Sequence, residues 1–193
     1  MNNRKKEITA YFRNLDRGFF MEKHKDLAGL DEAIPIGHKQ TISQPSLVLK
    51  MTLALDLKPT SKVLEIGTGS GFQTALLAKF SDAVYTVERI EELHKSAQKH
   101  LAEAGFDNIH FKLDDGSYGW AEHAPFDRIM VTAAAAIIPQ ELIEQLKPGG
   151  KMLIPVGSSF MQDLQLVEKD EQGKLHKTVI DNVLFVPLKG KYE

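Results

Sequence analysis

From Lys62 onward the chain alternates between short apolar runs and longer stretches whose apolar residues recur at helical spacing. Val63–Ile66 reads as a strand and Phe72–Phe80 as a helix. Val84–Val87 reads as the next strand. Glu91–Ala104 reads as the next helix, with Leu93, Ala97, Leu101 and Ala104 on one face. Ile109–Leu113 and Asp127–Thr132 follow as strands. Pro139–Lys147 is helical in pattern, with Leu142, Ile143 and Leu146 inward. Pro148-Gly149-Gly150 stops it before a strand over Met152–Val156. Strands alternating with helices predict a parallel sheet covered on both faces. Beyond Gly157 the alternation ends. Asp163–Lys169 and, after a turn at Gly173, Val179–Leu188 read as strands with no helix between them. The expected fold class is α/β: a doubly wound sheet, mostly parallel, with an antiparallel edge.

The first 60 residues break that rhythm. Residues 1–40 are polar and charged, with scattered aromatics at Tyr11, Phe12, Phe19 and Phe20. They predict one or two amphipathic helices, then a loop through Pro35 and Gly37. From Pro45 a helix with apolar residues on most sides is expected, with the proline at its first position. The chain thus reads as one domain: an N-terminal helical and loop extension over 1–60 and a ligand-binding core over 61–193.

Composition narrows the function. At 193 residues one domain with a real core is expected. A net charge of −2 gives no sign of a nucleic-acid backbone or an anionic membrane as partner. The absence of cysteine removes thiolate chemistry and fits a reducing compartment. MNNRKKEITAYF lacks the apolar segment of a signal peptide, and Ile129–Ile138 is too short to span a bilayer. A cytoplasmic protein is expected, with a monomer favoured. No histidine shows metal-ligand spacing, so no metal is expected.

The candidate chemistry starts at KVLEIGTGSGFQT. In such a fold a ligand sits outside the carboxyl ends of the strands, beside the first strand-helix turn. Gly67, Thr68, Gly69, Ser70 and Gly71 form that turn. Glycines there accept positive φ and leave no Cβ in a ligand's way. The spacing is G-x-G-x-G, not the G-x-G-x-x-G of a pyrophosphate cradle, which disfavours a nicotinamide dinucleotide. Glu65, just ahead of the turn, would repel phosphates and welcome a cation. Glu88 ends the next strand, where a carboxylate can accept both hydroxyls of a ribose. Asp115 and Gly116 follow the third strand, where an acid can accept from an adenine amino group. Taken singly each acid is equally well a solvated surface group. Together they fit an adenosine with a positive, phosphate-free tail, S-adenosylmethionine. Trp120 and Tyr118 could stack near the adenine, but a lone tryptophan is more often core.

The acceptor is written in PIGHKQTISQP, which sets Thr41 and Ser43 just before the helix at Pro45. Unpaired N–H donors and the dipole at that helix start favour an anion. The alternative is that Ser43 simply caps the helix.

PIGHKQTISQP, VLEIGTGSGFQTALLA, VERIEEL, DDGSYGWAEHAPFDRIMVTAAA, IPQELIEQLKPGGKMLIPVG and VLFVPL resemble, over nearly the whole chain, the protein-L-isoaspartate O-methyltransferases. The resemblance implies a seven-stranded, Rossmann-like methyltransferase sheet with added N-terminal helices, and S-adenosylmethionine as cofactor, leaving as S-adenosylhomocysteine. It implies isoaspartyl-containing proteins and peptides as partners, with D-aspartyl residues accepted more weakly. It places Ser43 on the serine of the active site, with Thr41 and Ile42 in the same wall around cofactor and substrate. It also implies that the methyl ester closes to a succinimide without help. Departures are Lys39, where relatives usually carry a glycine, Asp114 in an acidic pair, and Leu30, where an aromatic is frequent. They leave open a protein of this fold that binds the cofactor but serves another acceptor or partner.

Overall fold

The computed structural model describes residues 3–192. Its centre is a seven-stranded sheet in the order β5-β4-β3-β6-β7-β8-β9. The strands are β3 (Lys62–Ile66), β4 (Ala83–Glu88), β5 (Ile109–Leu113), β6 (Phe126–Val131), β7 (Leu146–Gly157), β8 (Gln162–Lys169) and β9 (Leu175–Val183). β3 to β7 pair in parallel, and β8 and β9 add an antiparallel meander. The order reverses at β3, with β4 on one side and β6 on the other. A crevice opens there at the strands' carboxyl ends.

Two apolar cores cover the two faces. On one, α1 (Asn3–Asn14), α2 (Pro45–Ala54), α3 (Phe72–Phe80) and α4 (Glu91–Glu103) bury residues such as Ile8, Met51, Leu76 and Leu101 against Val63, Val84 and Met130. On the other, α5 (Gln140–Gln145) and irregular chain pack Leu142 and Leu188 against Leu64, Phe126, Ile129 and Ile154. α3 is buried along nearly its whole length because α1 and α2 pack on it, β4 lies beneath it and Leu101 of α4 closes on its start at Gly71, which explains its mostly apolar pattern.

Three expectations need correction. The segment expected as a loop through Pro35 and Gly37 is a two-stranded hairpin, β1 (Ile34–Gly37) with β2 (Gln40–Ile42). α5 ends at Gln145, and the chain enters β7 at once. Residues 147–150 bulge out of the pairing with Gly149 at φ +75°, so the Pro-Gly-Gly turn lies within a strand. The last strand runs over Leu175–Val183, not Val179–Leu188. Its successor residues leave the edge. Ala134 N donates to Val186 O (2.8 Å) and Leu188 N to Ala134 O (2.7 Å), which lays 186–188 across the crevice.

Candidate functional site

The crevice holds a cavity with about 810 Å³ of open space. Gly67, Thr68, Gly69 and Ser70 form one wall, Glu88 and Arg89 stand at the tip of β4, and Gly116 lies on the floor. Thr41, Ile42 and Ser43 face them from the hairpin side, and the tail residues Val186, Pro187, Leu188 and Lys189 close the remaining side. A second, larger groove of about 1440 Å³ shares Thr41, Ser43, Thr132 and Val186 with the first, and opens outward past Lys50, Phe160 and Asp181.

The glycine turn is held by what surrounds it. Gly67 has φ +92°, and a Cβ there would stand 2.4 Å from Thr132 Oγ1. That hydroxyl donates to Gly67 O (2.7 Å) and Ile66 O (2.9 Å), so β6 clamps the turn against the sheet. Gly69 N donates to Glu88 Oε2 (2.9 Å). Glu88 Oε1 accepts from the N–H groups of Arg89 and Ile90, both at 2.9 Å. This carboxylate is only 5% exposed; its two N–H donors fill Oε1, and Oε2 keeps capacity for one further donor.

Glu65 behaves differently from the expectation. It is fully buried beneath the turn and does not line the cavity among the described residues. Its Oε2 accepts from Thr74 Oγ1 (2.6 Å) and Thr86 Oγ1 (2.7 Å), while Oε1 has no partner. Burial pushes its carboxyl up to about 8, against the pull of those two hydroxyls. At neutral pH it therefore keeps its proton, and the idea of a charge at Glu65 greeting a cation is corrected. Its reach into the cavity is indirect. Thr86 spends its proton on Glu65, so in the 2.6 Å contact between Thr68 and Thr86 it is Thr68 that donates. Thr68 lines the cavity and keeps acceptor capacity there.

Gly71 and Asp115 also stand behind the wall. Gly71 opens α3 at φ +89°, where a Cβ would press on Leu101 at 3.1 Å, so its role is helix packing. Asp115 Oδ1 accepts from Ser117 N (2.9 Å), and its carboxyl packs against Gly190 in the tail. Trp120 packs on Tyr85 and His123, Tyr118 is half exposed, and neither lines the cavity.

On the acceptor side, the start of α2 is already occupied. Asp31 Oδ1 accepts from Ser46 N (2.8 Å), and Gln44 Nε2 donates to Asp31 Oδ2 (3.1 Å). Those bonds hold the Asp31 carboxyl below its ordinary range. Ser43 is thus not the cap, and the helix start is not open to a ligand's anion. Both earlier readings of that terminus are corrected by one aspartate that lies 15 residues before Ser46. The hydroxyls of Thr41 and Ser43 make no hydrogen bond among the described residues and face the joined cavities. Lys39 sits at the hairpin tip, exposed, and lines neither cavity. Asp114 pairs with Lys112 at 2.8 Å.

Three contributors escaped the sequence reading. Thr132 sits at the tip of β6, the same kind of position as Glu88, and the rule that ligands gather at strand tips would have found it. The tail gave the apolar signal of a strand. Arg17, described below, gave none.

The fit of an adenosyl cofactor rests on three features of this cavity. They are tight packing of Gly67 and Gly116 on Thr132 and Ile66 that leaves no room for a side chain, open space beside Gly69 where a Cβ would meet only Ile36 Cδ1 at 3.9 Å, and a buried carboxylate at the β4 tip with an acceptor site left on Oε2.

Residues 2–193 match the family model described as protein-L-isoaspartate(D-aspartate) O-methyltransferase. The chain is 52% identical over 174 residues to the protein-L-isoaspartate O-methyltransferase of Dictyoglomus turgidum, covering 90% of this chain and 79% of that one. It is 54% identical over 159 residues to protein-L-isoaspartate O-methyltransferase 2 of a Polaromonas species, covering 82% and 75%. Among solved structures, a protein-L-isoaspartate O-methyltransferase superposes with a TM-score of 0.83 at 23% identity, covering 97% of this chain and 67% of that chain. A Plasmodium falciparum protein assigned to the same activity, solved with S-adenosyl-L-homocysteine, gives 0.76 at 24% identity, covering 98% and 99%. These two likenesses bear on the fold.

Proposed function

The chain belongs to the protein-L-isoaspartate(D-aspartate) O-methyltransferase family, and from that premise we propose that it moves a methyl group from S-adenosylmethionine to the free α-carboxylate of L-isoaspartyl residues in damaged proteins and peptides. The observation that carries this reading is the shared wall. Thr41 and Ser43 stand between the glycine-lined cavity and an open groove of about 1440 Å³.

S-adenosylmethionine, when bound, supplies a methyl group activated on a sulfonium sulfur. Gly67, Thr68, Gly69, Ser70 and Gly116 would line its cradle, with Glu88 Oε2 accepting from one ribose hydroxyl. Glu65, Gly71 and Asp115 act from behind as supports of the turn, of α3 and of the tail. An α-carboxylate is already ionised at neutral pH, so the chain needs no strong base to prepare it. What remains is alignment, which in favourable cases is worth roughly 7–11 kcal/mol. Thr132 has spent its proton on Gly67, and Ser70 lines the cofactor cavity but not the groove. Thr41 and Ser43 are therefore the hydroxyl donors on the wall shared with the groove that orient the carboxylate, with Ile42 as the apolar residue between them. Neutral hydroxyls hold it without the ground-state stabilisation an arginine would add. The tail residues 186–189 keep water from the other side.

Transfer of labelled methyl groups to an isoaspartyl peptide and to its aspartyl twin tests the proposal. Label is expected in the first only, and equal labelling of both would reject the specificity. The alternative, a cofactor-binding protein serving a different acceptor or partner, predicts S-adenosylmethionine binding with label in neither peptide. Lys39 lies outside both cavities and Asp114 is engaged with Lys112. The proposed setting is a cytoplasmic monomer. Among the described residues no helix is long and apolar enough to cross a membrane.

A further inference from the structure

We infer that Arg17 is a positioning residue for the methyl acceptor, acting through the backbone of Ile42 and Ser43; the inference rests on the acceptor role given to Ser43 above. Arg17 opens the 3-10 turn Arg17–Phe20, and only 5% of it is exposed. Its two Nη groups donate to carbonyls, while its buried Nε has no partner among the described residues. Nη1 donates to Ala28 O (3.3 Å) and Leu30 O (3.0 Å). Nη2 donates to Glu32 O (2.7 Å), Ile42 O (3.2 Å) and Ser43 O (3.0 Å).

One planar cation thus ties two segments together. The first, 28–32, carries Asp31, and Asp31 in turn holds Ser46 N and the Gln44 side chain at the start of α2. The second carries the carbonyls of Ile42 and Ser43 themselves. Ser43 is therefore fixed on its own carbonyl by Arg17 and on its next neighbour by Asp31. Neither Arg17 nor Asp31 lines the cavity or the groove. The direction of the Ser43 hydroxyl is set from behind, by groups positioned away from the substrate.

Burying a cation among carbonyl dipoles costs desolvation, which here keeps the Arg17 guanidinium below its ordinary value while Asp31 pulls it back. A fork of rigid donors is what the geometry uses. A lysine keeps the charge but, as a compact point donor, cannot reach both segments in the same arrangement. Misplacing a reacting group by about 1 Å costs on the order of 100-fold in rate, so a loosened loop should be read in turnover before affinity.

The test uses the full chain with Arg17→Lys and Arg17→Met. Turnover on an isoaspartyl peptide should fall about 30-fold or more in Arg17→Lys, well below its unfolding temperature, with S-adenosylhomocysteine affinity within about twofold of the parent. Hydrogen exchange over residues 40–47 should quicken while residues 67–76 stay as in the parent. Turnover within threefold of the parent in folded Arg17→Lys would overturn the inference, as would turnover and cofactor affinity falling together. If Arg17→Met does not fold, Arg17→Lys decides. If the parent itself labels no isoaspartyl peptide, the functional reading fails by itself, and unchanged exchange over 40–47 would separately sink the tether.

Discussion

The cofactor wall hangs on the sheet, whereas the acceptor wall hangs on a hairpin, a helix start and a returning tail. Glu88, Gly67 and Thr132 sit at the tips of three adjacent strands, and their hydrogen bonds run among themselves within a few residues of those tips. Thr41 and Ser43 owe their place to Arg17 and Asp31, 26 and 15 residues away in the respective bonds, and to Val186 across the cleft. A wall built on parallel strands is fixed once the strands pair. A wall built from loops needs charged ties to stand still. Substitutions on the two sides should therefore fail differently: on the cofactor side in binding and stability, on the acceptor side in turnover.

The largest effect is expected at Glu65, under the cofactor wall. Its folded-state carboxyl titrates near 8 against an ordinary 4.5. The native state then holds a proton that the unfolded chain has released, so stability falls as pH rises from about 4.5 to about 8. At about 1.4 kcal/mol per unit, this component is on the order of 4–5 kcal/mol. Glu65→Gln removes the titration while keeping an oxygen for Thr74 and Thr86. Urea unfolding of both proteins across that range should give a parent curve that drops relative to the variant. Two parallel curves would mean that Glu65 is not protonated in the fold.

Glu88→Ala should come next. It strips the acceptor from the N–H groups of Gly69, Arg89 and Ile90 and from any ribose hydroxyl. Hydrogen bonds to a charged group are worth about 1.5–3 kcal/mol, so calorimetry should show S-adenosylhomocysteine bound roughly 10- to 150-fold more weakly. Normal binding would move the ribose away from β4. Ser43→Ala should show the opposite profile. Turnover should be lower by about 10- to 100-fold with cofactor affinity within twofold, because one donor to the carboxylate is lost and nothing on the strand tips changes. A matching fall in cofactor affinity would erase the distinction between the two walls.

The same contrast explains what the residues disclosed. The strands β3 to β6 and the glycine turn were legible because short-range pattern governs them: apolar runs, helical periodicity and turn residues in fixed order. Ser43 as a non-cap was not legible, since the competing Asp31 comes from a loop with no periodicity. Glu65 was legible as a residue of interest but not in its charge state. Its burial depends on α3 and β4 closing over it, and depth is not written in neighbouring letters. The tail misled for a related reason. VLFVPL has a strand's composition, but the β9 edge ends at Val183 and the remainder is drawn over the crevice by Ala134. Thr132 was the avoidable omission, because its place at a strand tip was already implied by the pattern.

The smallest effect sharpens the comparison from the acceptor side. His38 and Lys39 form the two-residue loop between β1 and β2, with φ +53° and +59°. Positive φ at both central positions is what a type I′ turn requires, and glycine or asparagine meets it most cheaply. A side chain in that left-handed region costs roughly 1–2 kcal/mol, of which Gly gives part back through its freer unfolded state. Lys39→Gly should therefore stabilise the fold by about 0.5–1 kcal/mol, read as a higher urea midpoint at unchanged slope. Turnover and peptide KM should not move, since Lys39 lines neither cavity and the groove's own cation, Lys50, is paired with Asp181 at 2.6 Å. If KM for an isoaspartyl peptide rises instead, the hairpin tip reaches the substrate carboxylate after all. Lys39 would then belong to the acceptor wall as a steering charge, and that wall would extend beyond the two hydroxyls assigned to it.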